Sequence, residues 1–208
     1  MKIVVSGESR SGTSLTMNIL KSLGYSLAGE KWANVEDDRR HMNPDGFYEV
    51  PYMVNYGMDE DLDRFFKEDV VKLTTRGLIA TEPELIYQLI YVIRNPREVI
   101  VSQRNMNDYP GDKEAFRRYC NNMELLFQFV TPEGWMHHVH ILDYGDLMKN
   151  PEGEIRRLCR FLRKPQIISE AVSIIKPELY RSKKHKVKFN KKAKTWYNML
   201  YSLRQDVV

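Results

Sequence analysis

The residues best placed to do chemistry stand in a glycine- and serine-rich stretch near the N-terminus. Gly7 and Gly12 bracket the segment ESRS, which reproduces the G-x4-G spacing of a phosphate-binding loop. A β-branched run precedes this loop and a helical apolar pattern follows it. Such a turn offers backbone N–H groups and the positive end of a helix dipole to one anion. The stretch therefore predicts an anion site.

One position sets this loop apart from loops that bind nucleoside triphosphates. Thr13 stands where those loops carry the lysine that neutralises the β- and γ-phosphates. The cation is instead Arg10, whose guanidinium suits a compact oxyanion or a bridging oxygen. The hydroxyl groups of Ser11, Thr13 and Ser14 add further donors. We therefore expect the loop to bind a less highly charged group than a triphosphate, without a metal ion.

A second candidate site follows a later apolar run in the segment YVIRNPREVIVSQ. Arg94 ends the predicted strand, Pro96 opens the next helix, and Ser102 lies two turns into that helix. Both Arg94 and Ser102 can face the carboxyl edge of a sheet, where open α/β folds bind ligands. An arginine and a serine at that edge predict a second phosphate site, separate from the first.

The surrounding patterns alternate between strand and helix. Strands are predicted at residues 2–6, 69–73, 89–94 and 139–144, and helices at residues 13–23, 96–105, 113–130, 150–162 and 168–175, with an amphipathic end at 191–205. Residues 25–56 lack regular periodicity. The order predicts an α/β fold of three layers, in which helices flank a central, mostly parallel sheet. We expect residues 1–208 to form one domain.

Composition excludes several classes of protein. The 208 residues are 42% hydrophobic, which is enough for one core, and no apolar run approaches the ~20 residues that span a bilayer. The N-terminus lacks the layout of a signal peptide. Cys120 and Cys159 are far apart and lack metal-ligand spacing, so we expect free thiols and a cytoplasmic location.

The charge of the chain is unevenly distributed. The formal net charge is +4, yet nine lysine or arginine residues and one glutamate lie between Lys176 and Lys194. A segment this basic, within residues 176–208, favours contact with an anion such as a nucleotide phosphate, nucleic acid, acidic lipid or sulfated sugar. A solvated end of the chain is the alternative.

Taken together, the motifs resemble those of the bacterial-type, PAPS-dependent sulfotransferases, where PAPS is 3′-phosphoadenosine 5′-phosphosulfate. RSGTS (residues 10–14) matches their 5′-phosphosulfate loop, and RNPRE with Ser102 matches their 3′-phosphate motif. NPDGFYE (residues 43–49) and LDYGDLMKNPEGEIRRLCRFL (residues 142–162) are similar to two further family segments. The likeness covers residues 2 to about 180.

The resemblance implies a P-loop NTPase-like sulfotransferase fold and transfer of a sulfuryl group from PAPS to an acceptor hydroxyl or amine, leaving 3′-phosphoadenosine 5′-phosphate (PAP). It implies that Arg10 contacts the bridging oxygen of the donor and that Arg94 and Ser102 hold the 3′-phosphate. The remaining donor-binding residues would be those of the loop, which are Ser9, Ser11, Gly12, Thr13 and Ser14. For adenine we expect an aromatic or apolar sandwich.

Two residues are candidates for the base that deprotonates the acceptor. Glu49 closes NPDGFYE, and a carboxylate in an apolar, aromatic setting can have a raised pKa. His41 is the second candidate, because imidazole titrates near neutrality. Each also has a plain interpretation, since Glu49 can simply pair with an arginine and His41 can be a solvated loop residue.

The sequence also departs from the family pattern. Gly145 replaces the usual acid of the tyrosine–acid–aspartate motif, which predicts a looser contact there. The C-terminal R-K-G-x-x-G element of the family is missing, and we expect the basic segment, including Arg181, to supply a 3′-phosphate contact instead. The histidines of HHVH alternate along a strand and predict no metal site.

Two other functions remain open at this point. A P-loop nucleoside or small-molecule kinase would need a lysine at Thr13. A non-catalytic module could bind polyanions or nucleic acid through the basic segment, although we expect no specific nucleic acid partner. We expect the partners to be a nucleotide donor and an acceptor molecule, with a homo-oligomer possible.

Overall fold

The computed structural model describes residues 2–30, 46, 48–50, 53–104, 109–130, 138–164, 168–177, 180, 187–188 and 190–204. Within these residues, one sheet contains the strands β1 (Lys2–Gly7), β2 (Val70–Thr74), β3 (Ile86–Ile93) and β4 (Val139–Asp143). Their order is β2-β1-β3-β4, and every neighbouring pair is parallel. The predicted class, an α/β fold with a central parallel sheet between helices, is confirmed.

Helices connect and cover these strands. Those described are α1 (Thr13–Ser22), α2 (Met53–Tyr56), α3 (Glu60–Phe65), α4 (Thr75–Ile79), α5 (Pro96–Gln103), α6 (Asp112–Val130), α7 (Tyr144–Lys149), α8 (Pro151–Phe161), α9 (Ile168–Ser173) and α10 (Lys191–Ser202). A 3₁₀ turn at Pro83–Leu85 leads into β3. None of the helices described is long and apolar enough to cross a membrane.

The sheet is buried on both faces because side chains alternate along each strand. In β1, Val4 packs with α4, α5 and α6, whereas Ile3 and Val5 pack with α1 and α8 on the opposite face. The same alternation separates Tyr91 from Ile90 in β3. Such near-continuous apolar strands are typical of parallel sheets covered on both sides.

Asparagine–proline pairs begin two of the helices, as the sequence predicts. The side chain of Asn95 accepts a hydrogen bond of 3.1 Å from the backbone N–H of Arg97, and Pro96 occupies the first turn of α5. Asn150 caps α8 in the same way, ahead of Pro151. Proline fits there because its missing N–H has no partner in the first turn of a helix.

The structure differs from the predicted elements at the ends of two strands. The strand predicted to reach residue 144 stops at Asp143, whose carboxylate accepts a hydrogen bond of 2.8 Å from the N–H of Asp146 and so caps α7. Thr74 ends β2 one residue beyond the predicted end and caps the unpredicted helix α4. A side-chain cap bonds a backbone N–H two or three residues ahead, so it starts a helix directly after each of these strands.

Register places the ends of all four strands at one edge of the sheet. Gly7 lies opposite both Thr74 and Val92, and Ile93 lies opposite Asp143. β1 pairs with β2 on one side and with β3 on the other, so the connections change direction at β1. In open α/β sheets, this switch point is where ligands bind, at the carboxyl ends of the strands.

The C-terminal helix α10 belongs to this packed body. Ala193 and Leu200 are fully buried, and the Tyr197 hydroxyl donates a hydrogen bond of 2.7 Å to Asp143. Beyond the helix, the Arg204 guanidinium bonds both carboxylate oxygens of Glu154, at 2.6 and 2.7 Å. The last part of the basic segment is thereby tied to β4 and α8.

Candidate anion-binding site

The segment between β1 and α1 forms a tight turn at the switch point. The Ser11 N–H donates a hydrogen bond of 2.9 Å to the carbonyl oxygen of Glu8. Arg10 has a φ of 72° and Gly12 a φ of 113°, both in the left-handed region. A Cβ at Gly12 would also lie only 2.4 Å from Cδ2 of Tyr144. Glycine is required there both by conformation and by space.

The Arg10 side chain extends from the loop towards helix α5. Its Nε donates a hydrogen bond of 3.1 Å to Oγ of Ser102. Partial burial lowers the pKa of Arg10, and the neighbouring charge of Arg94 lowers it further. The loop therefore holds a guanidinium beside another cation, an arrangement that an anion would stabilise.

Arg94 lies just past the end of β3 and is only 7% exposed. Its Nε is 3.1 Å from Oε2 of Glu98, and its Nη1 donates a hydrogen bond of 3.1 Å to the carbonyl oxygen of Arg10. The guanidinium carbon lies 4.3 Å from the ring centroid of Tyr144 and 5.3 Å from that of Tyr180. The two predicted anion motifs are thus in direct contact at one edge of the sheet.

The remaining loop residues differ in how they face their surroundings. Ser9 is exposed, and its carbonyl oxygen accepts a hydrogen bond of 3.1 Å from the Gln103 side chain. Thr13 is buried at the first position of α1. Ser11 is buried as well, and its hydroxyl has no hydrogen-bond partner among the described residues. A buried hydroxyl without a partner is costly, so Ser11 marks a place where a ligand oxygen would be stabilised.

Lys72 is a site residue that the sequence analysis missed. It lies in β2, is 5% exposed, and donates a hydrogen bond of 2.9 Å from Nζ to the Ser14 hydroxyl at the start of α1. Burial lowers the pKa of Lys72, and the charge of Glu49 opposes that shift. A lone lysine inside the otherwise apolar strand VVKLT was the available signal, because a buried lysine needs a partner.

Glu49 is held beside that lysine rather than in a purely apolar setting. Its Oε1 lies 2.8 Å from Nζ of Lys72. The preceding residue, Tyr48, is buried, and its hydroxyl donates a hydrogen bond to Oδ1 of Asn18 in α1. The aromatic neighbour expected from NPDGFYE is therefore present, but the carboxylate itself belongs to an ion pair with a lysine.

Two predicted site residues, His41 and Arg181, lie outside the described residues, as does most of NPDGFYE. Tyr180, which directly precedes Arg181, is described, and its ring is perpendicular to that of Tyr144 at a centroid distance of 5.3 Å. The Tyr180 hydroxyl donates a hydrogen bond to Glu98, and burial raises the pKa of Tyr180. The two tyrosines form an aromatic cover over Arg94.

At Gly145, where the family motif has an acid, other contacts hold the segment. Asp143 caps α7, and Asp146 accepts hydrogen bonds from the Tyr201 hydroxyl, at 2.7 Å, and from the Arg204 guanidinium. A Cβ at Gly145 would lie 3.1 Å from Oδ1 of Asp143 and 3.8 Å from the Tyr180 hydroxyl. The looser contact at Gly145 stays a prediction.

No group of three or more histidine, cysteine or acidic side chains with the arrangement of a metal site occurs in the described part of the chain. Of the histidines of HHVH, His138 lies near the carbonyl oxygen of Tyr87, whereas His140 is buried and stacks on Phe161. His138 and His140 thus have structural neighbours of their own.

Comparison with known families gives one match over nearly the whole chain. Residues 1–205 match the sulfotransferase domain family. Among characterised proteins, a 3-alpha-hydroxysteroid sulfotransferase of Cavia porcellus is 28% identical over 90 residues. That match covers 37% of this chain and 31% of the relative, so it spans about a third of that protein.

Solved structures show the same fold at low sequence identity. The sulfotransferase domain from the curacin biosynthetic pathway has a TM-score of 0.54 and 13% identity, covering 96% of this chain and 97% of that domain. A mouse sulfotransferase complexed with PAP has a TM-score of 0.50 and 12% identity, covering 99% of this chain and 84% of its own. Both similarities cover nearly the whole of this chain.

Proposed function

The chain belongs to the sulfotransferase domain family, and on that premise we propose that it transfers a sulfuryl group from PAPS to a hydroxyl or amine of an acceptor, without a metal ion. The observation that carries this proposal is the contact between the two anion motifs. Arg94 donates to the carbonyl oxygen of Arg10 at the switch point of the sheet. Two anion-binding groups side by side suit a ligand that carries two phosphate-type groups.

The residues present fit such a nucleotide. Three cationic side chains surround the loop. Arg10 follows β1, Lys72 lies within β2 and Arg94 follows β3. The buried hydroxyl of Ser11 supplies a donor that has no partner among the described residues. The mouse relative solved with PAP has the same fold, which supports PAPS as the donor.

We assign the 5′-phosphosulfate to the loop. The backbone N–H groups from Ser9 to Gly12 and the hydroxyls of Ser11, Thr13 and Ser14 would bind it, at the positive end of the α1 dipole. Arg10 would contact the bridging oxygen. A transferred sulfuryl group carries one negative charge, so guanidinium, ammonium and N–H donors suffice to stabilise it.

We assign the 3′-phosphate to Arg94, with Arg181 as a further contact. The resemblance places Ser102 at the same phosphate, but its hydroxyl accepts the hydrogen bond from Nε of Arg10, so we assign Ser102 mainly to orienting Arg10. Tyr144 and Tyr180 would provide the aromatic surface expected for the nucleotide, since both rings already pack on the Arg94 guanidinium. This assignment leaves Glu98 to orient Arg94 through their 3.1 Å ion pair.

In the transfer step, the sulfur–oxygen bond to the donor phosphate breaks, a bond to the acceptor oxygen or nitrogen forms, and the acceptor proton moves to a base. We propose Glu49 as that base, with His41 as the second candidate. Glu49 lies 2.8 Å from Lys72, which in turn bonds Ser14 in the loop. In this proposal, Lys72 would orient the carboxylate and place a positive charge beside the transferred group.

The other candidate functions have less support. A kinase would require the loop lysine that Thr13 replaces, and the family match is to sulfotransferases. A purely polyanion-binding module would leave the buried cations of the loop without a role. A cytoplasmic location and a homo-oligomeric state remain predictions from the sequence.

Isothermal titration calorimetry tests the proposal directly. We expect PAP to bind with similar affinity in the presence of EDTA and of magnesium, and ATP to bind weakly in both. Magnesium-dependent binding of ATP in preference to PAP would contradict the proposal and favour the kinase. Transfer of label from ³⁵S-PAPS in an acceptor screen would then identify the acceptor class.

A further inference from the structure

A buried carboxyl group lies directly behind the anion-binding loop. Glu8, the residue after Gly7, is 9% exposed. Its Oε1 accepts a hydrogen bond of 2.8 Å from Oγ1 of Thr75, the first residue of α4. The side-chain amide of Asn122 in α6 approaches both Glu8 carboxylate oxygens, at 3.0 and 3.3 Å. One side chain therefore joins the loop to two helices.

These hydrogen bonds have a direction that depends on the charge of Glu8. The Thr75 hydroxyl has one proton and donates it to Glu8, so the Tyr91 hydroxyl, 2.8 Å from Oγ1 of Thr75, must donate to Thr75. If Glu8 takes up a proton, its carboxyl group can donate to Thr75, and the direction of both hydrogen bonds is then reversed. Tyr91 is 1% exposed, so this row of three hydrogen-bonded side chains lies in the protein interior.

The same residue also shapes the loop through its backbone. The carbonyl oxygen of Glu8 accepts the hydrogen bond from Ser11 that closes the turn, and Arg10 and Gly12, both with positive φ, flank Ser11. Glu8 is thus fixed at its side chain by α4 and α6 and at its carbonyl by the loop. A change in the side-chain contacts would therefore reach the loop through this one residue.

Titratable neighbours come from each element packed around Glu8. They are Arg76 in α4, Tyr91 in β3 and Tyr119 in α6. Burial raises the pKa of Glu8 to about 7, and the hydrogen bonds from Thr75 and Asn122 and the charge of Arg76 oppose that shift. Glu8 would therefore change charge within the physiological range, unlike an ordinary glutamate.

We propose that Glu8 is a positioning residue that couples the anion-binding loop to proton uptake, so that the loop binds its nucleotide more tightly when the Glu8 carboxyl is neutral. This inference rests on the proposed function, because it takes the loop's ligand to be the PAPS or PAP nucleotide. Neutralising Glu8 removes one negative charge from behind a site that receives an anion. Nucleotide affinity should therefore fall as pH rises through the Glu8 titration.

The test measures the dissociation constant of PAP by calorimetry at pH 5.5, 7 and 8.5. Phosphate monoesters also titrate near pH 6, so the informative quantity is the ratio between wild-type protein and a Glu8→Gln variant, in which the ligand contribution cancels. We expect the wild-type dissociation constant to rise about three- to tenfold relative to Glu8→Gln across this range. The control is Glu124→Gln, which removes an exposed carboxylate from the same helix as Asn122. The ratio of its PAP dissociation constant to that of the wild type should be the same at all three pH values.

A second variant separates coupling from a simple loss of structure. Thr75→Val removes a hydrogen bond that stabilises the charged carboxylate, so the pH at which affinity changes should move upward. A purely structural role for Glu8 would weaken binding at every pH without moving that midpoint. The coupling would be overturned if the ratio of PAP dissociation constants between wild type and Glu8→Gln did not change with pH. It would also be overturned if Thr75→Val left the pH midpoint of the affinity change where it is in the wild type.

A measurement on the free protein distinguishes failure of this inference from failure of the proposed function. The ¹³C shift of the Glu8 carboxyl, assigned by its loss in Glu8→Gln, should titrate near pH 7 and higher in Thr75→Val. Absence of PAP binding at all pH values would contradict the proposed function. Titration of Glu8 below pH 5 would overturn the inference even if PAP binds.

Discussion

A hydrogen bond of 3.1 Å joins Nε of Arg10 to Oγ of Ser102, two residues that are 92 positions apart in the sequence. Arg10 belongs to the loop after β1, and Ser102 lies in the helix after β3. The two elements meet because β1 and β3 are neighbours in the sheet and end at the same edge. The serine of the second motif therefore orients the arginine of the first.

This contact predicts the phenotype of Ser102→Ala. If Ser102 acts mainly by orienting Arg10, sulfuryl transfer should slow by roughly ten- to hundredfold, since a hydrogen bond to a charged group contributes about 1.5–3 kcal/mol. The dissociation constant of PAP should change by less than about threefold. Steady-state kinetics and calorimetry on the same variant provide the comparison, with the exposed Ser173→Ala as control. A large loss of PAP affinity would instead assign Ser102 to the 3′-phosphate.

Arg94→Ala should weaken PAP binding by at least about 30-fold, because a buried charge-assisted contact is worth about 2 kcal/mol or more. Arg94→Lys should restore little of this affinity, since the compact ammonium of lysine cannot both bond Glu98 and cover the rings of Tyr144 and Tyr180 as the guanidinium does. The exposed neighbour Arg97, whose Nε bonds the carbonyl oxygen of Val187, is the matched control. Calorimetry gives the affinities and thermal melting confirms folding. Unchanged PAP binding in Arg94→Ala would exclude the proposed role.

Glu49→Gln tests the assignment of the base. Loss of general-base catalysis should lower turnover by roughly a hundredfold or more while leaving PAP affinity nearly unchanged. Lys72→Met should also lower turnover, because it removes the cation that holds Glu49 at 2.8 Å. Glu82→Gln, at an exposed site, serves as control. Full transfer activity in Glu49→Gln would show that another group accepts the proton.

His140 predicts a sensitivity to acid. Burial, with Arg157 and Arg204 nearby, lowers the pKa of His140 to about 3, and its Nε2 has no hydrogen-bond partner among the described residues. The unfolded chain takes up this proton near pH 6.5, so the contribution of His140 to stability is present above that pH and is lost as pH falls towards about 3.

The measurement is the free energy of unfolding in urea at several pH values between 7 and 4. His140→Phe keeps the ring that stacks on Phe161, at a centroid distance of 5.2 Å, and removes the titrating group. We expect this variant to lose much of the wild-type decline in stability with acid. Parallel pH profiles for the two proteins would contradict this account.

The basic segment needs a test that preserves the fold. Truncation before α10 would remove the buried Ala193 and Leu200, so loss of binding after truncation would only report unfolding. Replacing the exposed Lys176, Lys188 and Lys191 by glutamine removes charge instead. We expect PAP affinity to stay within about twofold. If the chain were a polyanion-binding module, these changes would abolish binding to heparin or DNA and flatten its salt dependence.

Local patterns in the sequence were sufficient to predict the parallel sheet, the loop between Gly7 and Gly12, and the helix that begins at Pro96. Each depends on residues close together in the chain, such as glycines at a turn, an asparagine–proline start or an apolar run. The strand ends were less predictable. Caps at Thr74 and Asp143 begin helices α4 and α7, and short capped helices carry little periodic signal.

What the amino-acid sequence determined by itself was the four strands, the longer helices and the positions of the two predicted anion motifs, because each is encoded by neighbours along the chain. The tertiary structure alone decided that Ser102 bonds Arg10, that Lys72 pairs with Glu49, and that Glu8 is buried against Thr75 and Asn122. Strand order and register bring these distant side chains to one edge, and a register shift of one residue would point each strand's side chains to the other face. Lys72 contacts Ser14 and Glu49 because β2 lies beside β1, and the sequence of one strand cannot specify that neighbour.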